Sequence, residues 1–300
     1  MIQYFNKIIW SIATSLIVIS SIYLTIYLNF PQFKLKKIFK SLKKSNQKLS
    51  NFKVLMMSLA GKIGVGSIAG IALAIYIGGP GSIFWIWILT FLSAVLCYSE
   101  TILGNIYKEK DGEFYKGGPS YYIKNGLGYS TLGTIYAIVI IISYIGGFIS
   151  IQTNTITTSI REIFNISPMV IGFILVILSF LMIMKGVKEI LNVSSKIVPF
   201  MIIFYLFSGM YILIKNLNLI PEIFKLIITS AFSFKPFITG FITSIIVGLQ
   251  RGIFATEAGL GTSSIASSVS NTNDSVNLAR MQVFGIYLTT FLVCTLTAFI

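Results

Sequence analysis

The sequence contains no histidine, only nine acidic residues among 300, and two cysteines. The missing histidine excludes Ser-His-Asp triads, imidazole acid/base catalysis and His-ligated metal sites. Cys97 and Cys294 both lie in apolar runs far apart in the chain, which indicates neither a disulfide framework nor a thiolate metal site. Charge of either sign is scarce as well: Asp, Glu, Lys and Arg make up 11% of the residues, against roughly a quarter in water-soluble domains. Apolar residues take their place, with 55% hydrophobic side chains and 25 glycines and a mean hydropathy of +0.86. The 23 basic residues leave a net charge of +14. In a soluble chain that excess would suggest nucleic acid, but here the basic residues fall in short stretches between long apolar runs. That is the pattern of an all-α integral membrane protein, with lipid and not nucleic acid around it.

A bilayer-crossing helix needs roughly 20 mostly apolar residues, so charge-free runs count the crossings. The first covers 8–33. It is too long for the apolar region of a signal peptide and lacks a small-residue cleavage site before the lysines that follow, so it is read as helix 1. The next uncharged run contains Gly78-Gly79-Pro80-Gly81, which breaks a helix and turns the chain; helices 2 and 3 are therefore expected at 52–77 and 82–107. Helix 4 is expected at 129–151, helix 5 at Pro168–Met184 and helix 6 at 197–214. A shorter amphipathic piece at 221–231 reads as interfacial, and helices 7 and 8 follow at 236–251 and 281–300.

The distribution of Lys and Arg tests this count of about eight crossings independently. With the N-terminus outside, the inner loops hold the cluster from Lys34 to Lys53, then Lys108 to Lys124, then Lys185, Lys188 and Lys196, then Arg251 and Arg280. Lys7, Arg161, Lys215, Lys225 and Lys235 remain outside, and Lys62 falls within helix 2. The asymmetry alternates as a multi-pass protein of the cell membrane requires. The Lys34 to Lys53 cluster sets orientation and touches anionic lipid. The chain stops at Ile300 in an apolar stretch without an interfacial anchor, which predicts a truncated chain or fragment.

Within helix 2, residues 61–70 carry Gly61, Gly64, Gly66 and Gly70. Each glycine costs about 1 kcal/mol relative to alanine in a helix interior, so the helix is either packed very closely or unwound. Gly66 and Gly70 fit a small-residue helix contact. Equally, a discontinuous helix would present free amides to an anionic group and free carbonyls to a cation at mid-membrane depth. A second glycine-interrupted stretch holds Gly248, Gly252, Gly259 and Gly261 around Arg251 and Glu257. The two charges either mark the cytoplasmic exit of helix 7 or are functional. Two such segments in separate parts of a membrane chain point to a transporter binding site. Gln152 and Asn154 read as the polar end of helix 4, with a substrate cavity as the other place for Gln152. Glu100 reads as an interfacial carboxylate able to pair with a lysine of the following loop, and Trp85, Trp87 and Tyr98 as interfacial aromatics.

These residues carry a resemblance. Gly64-Val65-Gly66-Ser67-Ile68-Ala69-Gly70, Gly78-Gly79-Pro80-Gly81-Ser82-Ile83-Phe84-Trp85, Gly117-Gly118-Pro119-Ser120-Tyr121-Tyr122, Gln152-Thr153-Asn154-Thr155 and Lys196-Ile197-Val198-Pro199 are similar, in order and spacing, to the alanine or glycine:cation symporter family, also called the sodium:alanine symporters. Arg251-Gly252-Ile253-Phe254-Ala255-Thr256-Glu257-Ala258-Gly259-Leu260-Gly261 completes the match. The resemblance implies a leucine-transporter-like bundle of two inverted repeats behind one extra helix. Residues 52–214 would then form the first repeat and 236–300 the start of an incomplete second, with helices 2 and 7 discontinuous. It further implies inward symport of a small neutral amino acid, alanine or glycine, with Na+ or sometimes H+, by alternating access. On that template the substrate meets Gly64, Gly66, Ser67, Ile68 and Ala69 on helix 2, Gln152 on helix 4, and Gly252, Phe254 and Thr256 on helix 7. The backbone carbonyls of Gly66 and Ser67 form one wall of the cation site.

Three positions depart from the family pattern. Ser67 and Thr256 stand where the family usually has Asn, and Thr289 where it often has Asp. The two hydroxyls leave the choice of amino acid, and of Na+ against H+, open. The family also continues into further helices, so the alternative to a working symporter is a truncated, non-transporting fragment or the partner subunit of a longer one. No catalytic residue, enzymatic cofactor or resident metal site is expected, and an intramembrane enzyme is disfavoured for want of a nucleophile and base pair.

Overall fold

The computed structural model describes residues 2–43, 48–233 and 238–300. The start expected for helix 7 at Pro236 lies outside them, as do Lys44 and Lys235. The described chain is helical apart from one short hairpin, Glu109–Asp111 paired antiparallel with Phe114–Lys116. Lipid supplies no hydrogen bonds, so an apolar chain satisfies its backbone within helices.

The helices in chain order are α1 (Ile2–Tyr27), α2 (Leu35–Lys43), α3 (Lys48–Lys62), α4 (Ala69–Gly78), α5 (Gly81–Ile106), α6 (Pro119–Leu127), α7 (Ser130–Ser143) and α8 (Ser150–Phe164). They continue with α9 (Pro168–Met184), α10 (Gly186–Lys215), α11 (Ile220–Ala231), α12 (Ile238–Thr256), α13 (Thr262–Ser268), α14 (Ser275–Tyr287) and α15 (Thr295–Phe299). Five of the described helical stretches are long and apolar enough to cross a bilayer: Tyr4–Tyr27, Gly81–Ile106, Ser130–Phe164, Gly186–Lys215 and Ser275–Phe299. Ala69–Gly78, Pro168–Met184 and Gly240–Thr256 are apolar but shorter. They stand where helices 2, 5 and 7 are expected. Several long apolar helices in one chain make this a multi-pass membrane protein.

Several boundaries differ from expectation: the first helix spans Ile2–Tyr27 and not 8–33, the last begins at Ser275 and not at 281, and two further differences bear on the site. Helix 4 does not close at Gln152. α7 passes through one π-helical turn, Tyr144–Ile149, into α8 without a break, so Gln152 and Asn154 sit inside a helix. The two glycines of that turn, Gly146 and Gly147, have open space beside them, and π-bulges of this kind recur at functional sites. Helix 6 begins at Gly186, so α10 carries Lys188 and Lys196 on its first turns.

α5 is the central post of the bundle. It packs against α1, α4, α6, α11, α12, α13 and α14, and much of it is buried, from Gly81 through Leu89 and Ala94 to Asn105. α14 runs antiparallel to it: Asn105 Nδ2 donates to Ser275 Oγ (2.9 Å) at one end and Trp87 Nε1 to Thr295 Oγ1 (2.9 Å) at the other. Trp87 is thus partly inside the bundle, tied to the last helix. By contrast α9 and α10 turn Phe173, Phe180, Phe200, Phe204 and Phe207 outward, apolar surface that a bilayer and not water would cover.

The start of α5 is held where no side chain fits. A Cβ on Gly81 would lie 2.5 Å from the Ala231 amide nitrogen and 2.6 Å from the Ser230 carbonyl carbon, at the end of α11. Gly81→Ala is therefore expected to cost about 1–3 kcal/mol through overpacking against backbone. Thermal unfolding of the purified protein in detergent checks this; an unchanged midpoint would mean that α11 does not dock on α5.

Candidate functional site

The glycine-rich stretch of helix 2 is a break. α3 ends at Lys62, α4 begins at Ala69, and residues 63–68 between them are non-helical. The break is held by its own groups: the amides of Ser67 and Ile68 donate to the Gly64 carbonyl (3.2 and 3.1 Å), and the Gly70 amide donates to the Val65 carbonyl (2.7 Å). The Ser67 hydroxyl closes the loop, accepting from the Gly64 amide (3.1 Å) and standing 3.2 Å from the Gly64 carbonyl. Among the described residues, the amides of Val65, Gly66 and Ala69 donate to no protein acceptor. Three free amides beside a helix N-terminus form an anion-binding arrangement. The contact reading of Gly66 and Gly70 also has a counterpart: Gly66 abuts another helix, with a Cβ there only 3.0 Å from the Phe254 ring, whereas Gly70 lies against its own chain at Val65.

The second glycine-rich stretch breaks helix 7 in the same way. α12 ends at Thr256 and α13 starts at Thr262. The link turns through positive φ at Glu257 (52°), Gly259 (85°) and Gly261 (80°), of which Glu257 pays a conformational cost that glycine does not. Other helices hold it: Tyr136 of α7 donates its hydroxyl to the Leu260 carbonyl (2.7 Å), and the Gly261 amide donates to Glu100 Oε2 of α5 (3.1 Å). Two expectations are corrected here. Glu100 is 6% exposed and bonded to this link, so it is neither interfacial nor paired with a loop lysine. Glu257 is 5% exposed and accepts from Thr262 Oγ1 (2.8 Å), so it does not mark an exit to water.

Arg251 also departs from the expected exit. It lies inside α12 and lines a cavity of about 470 Å³ together with Lys7 of α1. A residue within the helix that lines a cavity does not mark the point where the helix leaves the membrane. The other walls come from Val65, Ala69 and Gly70 at the first break, Thr155 of α8, and Gln250 and Phe254 of α12. Asn6, Lys7 and Trp10 of α1 line the cavity and were not among the residues that the sequence singled out. The only signal was a polar pair opening a long apolar run.

The expected site residues divide accordingly. Gly64, Gly66 and Ser67 form the first break, Ala69 borders the cavity, and Phe254 lies against Gly66 and stacks on Phe148 of the π-helical turn at 5.6 Å. Ile68 opens α4 and is partly exposed. Gln152 lies between Ile151 and Thr155, both of which line the cavity. Gly252 points elsewhere: a Cβ there would be 2.8 Å from Leu89 Cδ2, so its smallness serves the packing of α12 on α5. Thr256 is fully buried and spends its hydroxyl within the chain, donating to the Gly252 carbonyl (2.8 Å). At the proposed cation wall, the Ser67 carbonyl faces Thr297 Oγ1 of α15 at 3.1 Å, and that hydroxyl also contacts Tyr205 Oη (2.6 Å). Such oxygens are the donors a hard cation takes. Thr289 is buried and donates to the Gly285 carbonyl, so it brings no charge to the interior.

Comparison with known proteins gives the chain its family. The family model described as the sodium:alanine symporter family matches residues 1–300. The chain belongs to that family. It is 33% identical to the amino-acid carrier protein AlsT of Bacillus subtilis, over 98% of this chain and 64% of that protein. It is equally similar to the probable sodium/glutamine symporter GlnT of the same organism, over 98% of this chain and 63% of that one. The sodium/alanine symporter AgcS of Methanococcus maripaludis is 33% identical over 98% of this chain and 68% of its own length. The chain thus spans 64% of the first of these relatives. The relatives named here are described as a carrier and as symporters.

Within this family member the Tyr136 hydroxyl is expected to keep the second break rigid. Tyr136→Phe removes one buried hydrogen bond, a loss of about 1 kcal/mol, and should speed amide hydrogen exchange across residues 257–261. Unchanged exchange there would show that the link is held without α7.

Proposed function

We propose that the protein carries small neutral amino acids, alanine or glycine, into the cell together with Na+ by alternating access. The observation that carries the reading is the pair of breaks packed close together, with the amides of Val65 and Ala69 unpaired in residues that line the cavity. An amino-acid carboxylate is the ligand such amides suit. Lys7 and Arg251 on the same cavity draw that carboxylate in along the route. The Phe254 ring stands close to Gly66, and a tight approach of this kind favours alanine or glycine over a longer substrate. The relative named as a sodium/glutamine symporter makes glutamine the comparison substrate. Na+ is held by the carbonyls of Gly66 and Ser67 with the Thr297 hydroxyl beside them.

On this reading eight crossings place the N-terminus outside, α3–α4 and α12–α13 are the symmetry-related central helices, and they rock as part of a bundle against the remainder. The inward sodium gradient supplies the work, and opposite openings expose the site in turn.

Sodium-driven alanine uptake into vesicles holding the protein tests the reading. Gly66→Leu is expected to abolish uptake, because its side chain would enter the Phe254 ring; uptake at the unsubstituted level would remove the site. Arg251→Gln should raise the KM for alanine about tenfold, the equivalent of 1.4 kcal/mol, with little change in the maximal rate. Uptake that ignores sodium and follows an imposed pH gradient would replace Na+ by H+. Uptake seen only when a longer homologue is co-expressed would favour a partner subunit.

A further inference from the structure

A second polar cluster lies on the other side of the breaks from the cavity, and neither the carboxylate nor the sodium reading uses it. Lys62, the last residue of α3, is 2% exposed. Its ammonium donates to Ser58 Oγ of its own helix and to Ser263 Oγ of α13, each at 2.8 Å. Two carboxylates are buried near it. Glu257 takes the Thr262 hydroxyl on Oε2 and flanks the backbone of Gly61, beside Lys62. Glu100 takes the Gly261 amide on Oε2, and its other oxygen, Oε1, is buried with no partner. Among the described residues no carboxylate oxygen lies within 4 Å of the Lys62 nitrogen, since the ion pairs found are Lys116 with Asp111 and Lys188 with Glu113.

The charges do not balance. One ammonium faces two carboxylates, so the fully ionised cluster carries one uncompensated negative charge inside the bundle, which is costly in an apolar interior. One more positive charge is required. A metal ion is poorly served next to Glu100, because hard cations take several oxygens, whereas the groups near this carboxyl are the backbone amides of Gly261 and Gly259 and the Lys62 ammonium. A proton needs only the unpaired oxygen. The titratable groups that face Glu100 are Lys62 of α3, Cys97 of its own helix, Glu257 of the link, Tyr122 of α6 and Tyr136 of α7, while Tyr144 faces Glu257. α13 contributes none.

We propose that Glu100 is a proton-binding site: its Oε1 carries a proton while α3, α5 and α13 are packed together, and gives it up when their separation lets water reach the cluster. Lys62 and the Gly261 amide tie those three helices, so the proton reports, and biases, whether this side of the bundle is closed. The inference rests on the transport reading only for that consequence. Occupancy of Glu100 is measured on the purified protein without any uptake.

Infrared spectra of the wild-type protein across pH should show the carbonyl stretch of a neutral carboxylic acid that persists at neutral pH. Glu100→Gln should remove it and Glu257→Gln should leave it. The glutamine keeps an acceptor for the Gly261 amide, so a merely structural role survives the change while the titrating band does not. A band that survives Glu100→Gln, or that Glu257→Gln removes instead, overturns the proposal. If Glu100→Gln fails to fold, the wild-type protein decides. A hydrophobic carbodiimide, which consumes protonated carboxyls, should leave its adduct on Glu100 when mapped by mass spectrometry at neutral pH; an adduct on Glu257 alone, or on neither, overturns it. Loss of the proposal in either experiment leaves sodium-driven uptake untouched, and failure of uptake leaves the band where it is.

Discussion

Lipid cannot repair a broken helix, and that constraint shapes this molecule. Each interruption of α3–α4 and α12–α13 releases amides and carbonyls that cost several kcal/mol if left in hydrocarbon. The breaks are tolerated because each is enclosed by protein. Ser67 and Thr256 return their hydroxyls to the backbone, Tyr136 and Glu100 reach in from α7 and α5, and Leu96 of α5 and Ile17 of α1 lie beside Gly259. After that internal satisfaction a few amides are still unpaired, and two of their residues, Val65 and Ala69, line a cavity.

The enclosure explains the pattern of close packing. α5 is buried along much of its length because the second break, α4 and α14 all lean on it. Glycine stands at the close approaches: Gly81 against the backbone at the end of α11, Gly252 against the Leu89 side chain, Gly66 against the Phe254 ring. The same residue type therefore serves two ends, freedom of φ at Gly259 and Gly261 and absence of a side chain at the others. A composition count cannot separate the two.

The sequence was informative wherever a local rule decides the outcome. Gly78-Gly79-Pro80-Gly81 turns the chain as its residues dictate, and four glycines in ten residues did mark a break. It was uninformative where distant residues decide. Gln152 and Asn154 look like a helix end because polar side chains usually meet water, yet they lie within α8, at the edge of a cavity that their neighbours line. Arg251, Glu257, Glu100 and Lys62 read as boundary charges or incidental ones, while the partners that bury them stand far off in sequence: Gly261 is 161 residues from Glu100, and Ser263 is 201 from Lys62. No window along the chain contains both members of such a pair. α1 was legible as a helix, but its contribution to the cavity was not, because Lys7 and Trp10 acquire meaning only beside Arg251.

The central claim is that the two breaks together form a site for an amino acid and a sodium ion that depend on each other. Equilibrium binding of radiolabelled alanine to the purified protein, in sodium and in choline salts, tests it most directly. The account predicts that sodium tightens alanine binding and that alanine tightens sodium binding by the same factor, as linkage demands. Alanine binding of equal strength in the two salts, or none in either, would contradict it.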